Sequence, residues 1–182
     1  QAGCAGINFG ADSGNASMLA ALGRSFSPEH VLEAAQFCRR HDIAVMLDLL
    51  IGAPGETPET ALQTIEMAKA ANPSCVGISL GVRVYARTRI ADSIAAEGPM
   101  EHNPAVSGQM TENKPLLAPI FYVSPALGTM EEGIAFLSEA IAGDERFFFG
   151  GSGDDRDYDY DDNRVLVEAI AAGARGAYWD IL

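Results

Sequence analysis

Cysteine and cationic side chains are both scarce, and each shortage excludes something. Only Cys4, Cys38 and Cys75 occur, widely separated along the chain. An odd, unpaired set is not a disulfide framework, and it suits a reducing cytosol where each thiol packs as a small buried hydrophobe. His30, His41 and His102 show no metal-ligand spacing with one another or with the cysteines. Lysine and arginine total 12 against 25 aspartates and glutamates, a net charge of −13. That balance argues against a nucleic-acid surface or an anionic membrane as partner. No apolar run approaches the roughly 18 residues that a membrane span requires. The N-terminus lacks the charged-then-apolar layout of a signal peptide. Neither a Walker loop nor a Ser-His-Asp set is present, and no G-x-G-x-x-G follows a strand.

What is present is an α/β pattern. The chain has 182 residues, 48% of them hydrophobic, which makes it one domain or a piece of one. The stretch Leu47–Thr57, LDLLIGAPGET, organises it. It begins inside the apolar run Ile43–Ile51, whose only charge is Asp48, breaks at Gly52-Ala53-Pro54-Gly55, and restarts as a helix at Thr57-Pro58-Glu59. A strand apolar on both faces is a buried, usually parallel one. Thr as N-cap with Pro at the first helical position starts a helix. The Gly/Pro loop then lies at the strand's C-terminal end, where such folds bind ligands.

Two other segments share this pattern. Cys4–Ala11 places Ala5, Ile7, Phe9 and Ala11 on one face and Asn8, Gly10 and then Asp12 on the other. Ser74–Tyr85 reads as a third strand, Val76, Ile78, Leu80, Val82 and Val84 opposing Ser79, Arg83 and Tyr85. In a βα barrel the face toward the helices is apolar and the lumen face carries polar groups near its mouth. Asn8, Asp12, Asp48, Arg83 and Tyr85 are therefore expected in one hollow. An ion pair between Asp48 and Arg83, with no further role, fits the same pattern. Helices are expected over Ala16–Leu22, Pro28 to about His41, Pro58–Ala71 and Arg87–Glu97.

Beyond Gly98 the pattern weakens. Residues 99–119 show no periodicity and read as a loop or linker. Ile120–Ser124 reads as a short strand, Thr129-x-x-Glu132 as a capping box opening the helix Met130–Ala142, and Phe147–Phe149 as a short apolar run. A last helix is expected over Arg164–Ala172. The run Asp154–Asp162 is a solvated acidic loop, although Asp157, Asp159, Asp161 and Glu168 match the 1-3-5-12 spacing of a calcium loop. Against calcium, Asp162 stands where that loop needs its glycine.

Three blocks carry a family resemblance, and they stand in the family's order. Gly6–Ser27 (GINFGADSG…LGRSFS), Asp48–Thr57 (DLLIGAPGET) and Val84–Ala91 (VYARTRIA) resemble the fourth-, fifth- and sixth-strand motifs of radical S-adenosylmethionine (SAM) enzymes. The resemblance implies a partial (βα) barrel with parallel strands, the last three βα units of such a core, in residues 1–98. After the linker 99–119, a C-terminal α/β extension follows in 120–182, with the acidic loop at 150–163. By resemblance, Asp12 and Ser13 contact the ribose or methionine part of SAM, Arg24 its carboxylate, and the Gly52–Pro54 turn its adenine side. Leu50 or Ile51 walls the purine, and Asn8, Asp48, Arg83 and Tyr85 complete the pocket.

A complete enzyme of this kind cleaves SAM reductively at a [4Fe-4S] cluster, and its 5′-deoxyadenosyl radical acts on a substrate that the resemblance leaves open. A cobalamin-binding domain often accompanies it. The Cys-x3-Cys-x2-Cys loop that holds the cluster does not occur in these 182 residues, so they are expected to be an inactive piece of a cytoplasmic enzyme. Half a barrel exposes strand edges, and a homodimer would cover them. A second reading is a non-catalytic α/β interaction module whose acidic loop recruits a cation or a basic partner.

Overall fold

The computed structural model describes residues 3–108, 116, 118–149, 168–169 and 171–174. Its centre is a four-stranded parallel sheet in sequential order: β1 (Gly6–Asp12), β2 (Ala44–Ile51), β3 (Cys75–Leu80) and a last strand at Phe147–Phe149. Helix α1 (Ala16–Ala21) follows β1 directly. Helix α2 (Pro28–Arg40) carries the chain back from β1 to β2, and α3 (Pro58–Ala71) from β2 to β3. Asn15 caps α1, its Oδ1 accepting the Met18 N–H at 3.0 Å. In α3, Thr57 and Thr60 each accept the other's backbone N–H, at 3.3 and 2.9 Å, and Pro58 fixes the first turn.

The expected face rule holds across β1 and β2. Val45, Leu47, Leu49 and Ile51 of β2, at most 4% exposed, join Ala11, Val76 and Ile78 in a core against α2 and α3. A fully buried leucine is worth roughly 1.5–3 kcal/mol, so this one-sided apolar face sets the strand register as well as the stability. Asn8 sits opposite Met46, Gly10 opposite Asp48, and Asp48 opposite Gly77.

The third strand departs from its expected extent. Ser74–Tyr85 is not one strand: β3 ends at Leu80, and Gly81, at φ +91, turns the chain into β4 (Val82–Arg83) of a second sheet. Few side chains adopt that φ, and a Cβ at Gly81 would lie 3.0 Å from Val123 Cγ2. In the second sheet, β4 and β5 (Val106–Gly108) flank β6 (Ile120–Tyr122), all antiparallel. The linker is therefore partly structured, with a 3-10 turn at Met100–His102 and β5. Its alternation is too short to be read without a partner strand.

Helix α4 (Arg89–Ala96), capped by Thr88, packs Ala91 and Ile94 against Val82, Val84, Ile120 and Tyr122. Tyr122 is buried and donates to Glu97 Oε1 at 2.8 Å. Burial first, and then Glu97, pushes its phenol well above the usual tyrosine range.

Helix α5 (Met130–Ile141) opens on the expected capping box. The Glu132 N–H donates to Thr129 Oγ1 at 3.2 Å and the Thr129 N–H to Glu132 Oε2 at 2.7 Å. It leads to β7 (Phe147–Phe149), which pairs with β3 and is fully buried, so the short apolar run is a strand of the main sheet. Arg146 anchors its entry, donating to Asp144 through Nε and Nη2 at 2.9 and 2.6 Å and to Asn72 Oδ1 at 2.7 Å. Helices α2, α3 and α5 all lie on the same side of the sheet. Among the described residues no helix is long and apolar enough to cross a membrane.

Candidate functional site

The other side of the sheet is a polar layer over an apolar floor. Met46, Cys75 and Phe148, at most 7% exposed, form the floor. Above it Asn8 Nδ2 donates to Asp48 Oδ2 at 2.7 Å, which places both residues on the same face. The Asp48 carboxylate lies against β3, its Oδ1 3.1 Å from where a Gly77 Cβ would stand. One layer nearer the strand ends, Gly10 is exposed, and a side chain there would meet only Asp12 Oδ1, at 3.8 Å. A glycine at that position keeps the hollow open.

At the tip of β1 the pairing register shifts between Gly10 and Asp12, and Asp12 takes φ +56. This bulge aims its carboxyl at Arg24, just beyond α1, and the two form an ion pair. Asp12 is 8% exposed, whereas nearly half of the Arg24 side chain, 47%, meets solvent. Ser13 is placed differently from its expected role. Its hydroxyl is fully buried, 3.0 Å from Thr64 Oγ1, and accepts the Asn15 N–H at 3.1 Å. It ties the β1–α1 corner to α3, so only its backbone is left to meet a ligand.

The β2 turn brings Gly52, at φ +99, against Gly81, and a Gly52 Cβ would lie 3.3 Å from the Gly81 nitrogen. Pro54 is half-buried on the same turn. Leu50 packs on the second-sheet cluster beside Ala53 and Met18. Ile51, fully buried in the core against the helices, is on the wrong side to wall a purine. Strand alternation separates these two neighbours.

Arg83 and Tyr85 do not join the hollow, and the expected Asp48–Arg83 ion pair is not formed. After the Gly81 turn, Val82 and Val84 face inward, leaving Arg83 and Tyr85 exposed. The Arg83 guanidinium stacks 4.9 Å from the centre of the Tyr85 ring. Asp157, Asp159 and Asp161 lie outside the described residues, and Glu168 is exposed in a helical segment. Among the described residues no group of three His, Cys, Asp or Glu side chains could hold a metal ion.

One candidate emerges from the fold and not from the sequence pattern. Glu56 of the GAPGET turn is 1% exposed, buried between α3 and Ser124. The run contains it, but a glutamate before a helix reads as solvated until the fold covers it.

Comparison with known proteins gives the site a context. No protein-family model matches the chain. Tryptophan 2-C-methyltransferase from Streptomyces laurentii is 33% identical over 102 residues, 53% of this chain and 17% of that protein. The tRNA-2-methylthio-N(6)-dimethylallyladenosine synthase of Pelobacter propionicus is 35% identical over 66 residues, 35% of this chain and 15% of that protein. Among solved structures, the radical SAM methyltransferase TsrM from Kitasatospora setae, with tryptophan and a SAM analogue bound, superposes with a TM-score of 0.75. That match has 24% identity and covers 97% of this chain and 39% of the other. A second TsrM structure, with cobalamin and a [4Fe-4S] cluster bound, gives 0.71 at 22% identity. This chain thus spans less than a fifth of the curated relatives' length, and the reading as a non-catalytic module finds no support in them. The chain thus resembles radical S-adenosylmethionine enzymes, in sequence over part of its length and in fold over nearly all of it.

Proposed function

We propose that this chain is the SAM-holding part of a radical SAM enzyme, a partial (βα) barrel whose remaining strands and cluster ligands lie elsewhere in a longer protein. The supporting observation is the convergence at one sheet end of the Asp12–Arg24 pair, the open Gly10 position and the Gly52 turn. Those groups fit the cofactor. A carboxylate accepts from ribose hydroxyls, a guanidinium matches the methionine carboxylate, and Gly10 leaves room for both. Leu50 and Pro54 offer apolar surface to the purine, and the Asn8–Asp48 layer lies deeper, toward the substrate.

When bound, SAM and a [4Fe-4S] cluster supply one-electron cleavage to a 5′-deoxyadenosyl radical, and cobalamin, if present, supplies methyl transfer. This chain's share is to orient the sulfonium and exclude water. Its own cysteines do not suit the cluster: Cys38 is in the helix-side core, Cys75 in the floor, and Cys4 is exposed ahead of β1. In this proposal residues 1–98 carry the cofactor contacts and 120–182 form the extension, in a cytoplasmic enzyme acting on a small molecule.

Two measurements test the proposal. In the full-length protein, SAM should slow amide exchange at Gly10–Gly14 and Gly52–Gly55, and absence of protection at both would sink the site. The 182 residues alone should stay colourless after anaerobic iron–sulfide reconstitution, and a [4Fe-4S] absorbance band would overturn the split of labour.

Among the described residues no strand pairs with the outer edge of β1, which supports a missing neighbour. Phe9, Ala11, Phe26, Val31 and Ala34 line an apolar groove of about 210 Å³ along it. In the isolated chain we propose that a second copy covers this edge. Light scattering should then give twice the monomer mass, and a monomer at high concentration would refute it.

A further inference from the structure

The turn after β2 carries one side chain to which the cofactor site assigns no role. Glu56 is 1% exposed, far more buried than a carboxyl next to an open hollow needs to be. Its Oε1 accepts from Thr60 Oγ1 at 2.5 Å, and the Gly52 backbone lies near the same carboxyl across the turn. Its Oε2 is buried with no hydrogen-bond partner among the described residues. The second sheet grips the turn from the other side. Ser124, 3% exposed, donates through Oγ to the Glu56 carbonyl at 2.7 Å and through its N–H to the Gly52 carbonyl at 2.8 Å.

A buried carboxyl with one orphaned oxygen is costly, and such cost persists where it fixes a geometry. We propose that Glu56 is a positioning residue, its buried carboxyl tying the turn to Thr60 at the start of α3 so that the Gly52–Gly55 turn is preset to receive the adenosyl part of SAM. This inference rests on the reading of that turn as part of the cofactor site.

The groups named beside the carboxyl, Gly52 of the turn and Thr60 of α3, are uncharged, and so is Ser124 just past β6, which holds the Glu56 main-chain carbonyl. Glu59, the ionisable neighbour on its own helix, is exposed and bonded to the helix start. Burial therefore dominates and pushes the Glu56 pKa above the usual 4.5, against the downward pull of Thr60 and Gly52. The folded state holds this proton more tightly than the unfolded one. The turn is thus most secure at low pH and loosens as pH rises through the raised value.

Amide exchange of the ligand-free full-length protein across pH, corrected for intrinsic rates, tests this directly, paired with SAM titration. E56A removes the acceptor for Thr60 and should speed exchange at Gly52–Gly55 about tenfold, with α5 unchanged, and weaken SAM binding about tenfold. E56Q keeps the acceptor oxygen and cannot titrate, so it should stay within about threefold of wild type and flatten the pH dependence. Turn amides in E56A as protected as in wild type, or a pH profile in E56Q that matches wild type, would overturn the proposal. If E56A does not fold, the E56Q profile decides alone. Loosening of the turn without loss of affinity upholds the positioning role and removes the turn from the cofactor site.

Discussion

Gly14→Ala is expected to destabilise the chain by about 1–3 kcal/mol, the range for forcing a methyl group into a well-packed interior. A Cβ there would stand 2.7 Å from the Gln63 carbonyl oxygen and from Met67 Cβ, and 2.8 Å from Thr64 Cα. None of these is the far end of a flexible side chain, so helix α3 must shift as a body. The corner is also stitched to α3 by hydrogen bonds. The Gly14 N–H donates to Thr64 Oγ1 at 2.9 Å, and Asn15 Nδ2 donates to Gln63 Oε1 at 2.6 Å. Moving α3 strains these and displaces the start of the helix that the Gly52 turn feeds. Equilibrium urea unfolding measures the loss as a lowered midpoint at unchanged slope. Gly55→Ala is the control. Space around it is open and only its φ of +86 opposes a side chain, so it should cost about 1 kcal/mol. Equal midpoints for Gly14→Ala and wild type would show that the corner does not dock as described.

The contrast between these glycines marks what a sequence can and cannot disclose. Both stand in turn-rich stretches that look alike as letters. Only the fold shows that one lies under a helix and the other in solvent. Local signals were legible where the cause is local: Thr57-Pro58 starts α3 and Thr129-x-x-Glu132 starts α5, each through contacts within one turn. The parallel setting of β2 between β1 and β3 was legible because burial on both of its faces leaves a nearly continuous apolar run.

Long-range causes stayed hidden. The alternation from Val76 to Tyr85 runs unbroken through Gly81, and nothing local reveals that β6 captures its second half. That capture keeps Val82 and Val84 inside and puts Arg83 and Tyr85 in solvent. Phe147–Phe149 is too short to declare a strand until β3 lies beside it. Leu50 and Ile51 could not be separated as candidate walls by hydrophobicity alone, only by strand parity. Glu56 is the sharpest case. Its main chain is held by Ser124, 68 positions away.

Asp12→Ala in the full-length enzyme should weaken SAM binding by about 10–100-fold, the loss of one or two charge-assisted hydrogen bonds at a largely desolvated site. Asp12 is held 8% exposed at φ +56, a conformation that asparagine tolerates better than alanine does. Asp12→Asn therefore keeps the backbone and removes the charge, and should fall between wild type and alanine. Arg24 makes the comparison decisive. Its ion pair with Asp12 is half in water and so adds little stability by itself. If Asp12 served only to pair with Arg24, each single substitution and the double substitution would lower stability alike and leave SAM affinity untouched. If the two hold different ends of the cofactor, as proposed, Arg24→Gln should also cost affinity. The double substitution should then cost more than either single one but less than their sum, because the two groups also contact each other. Isothermal titration of wild type, Asp12→Ala, Arg24→Gln and their double with SAM separates these outcomes, and a flat affinity across all four would remove the β1 tip from the site.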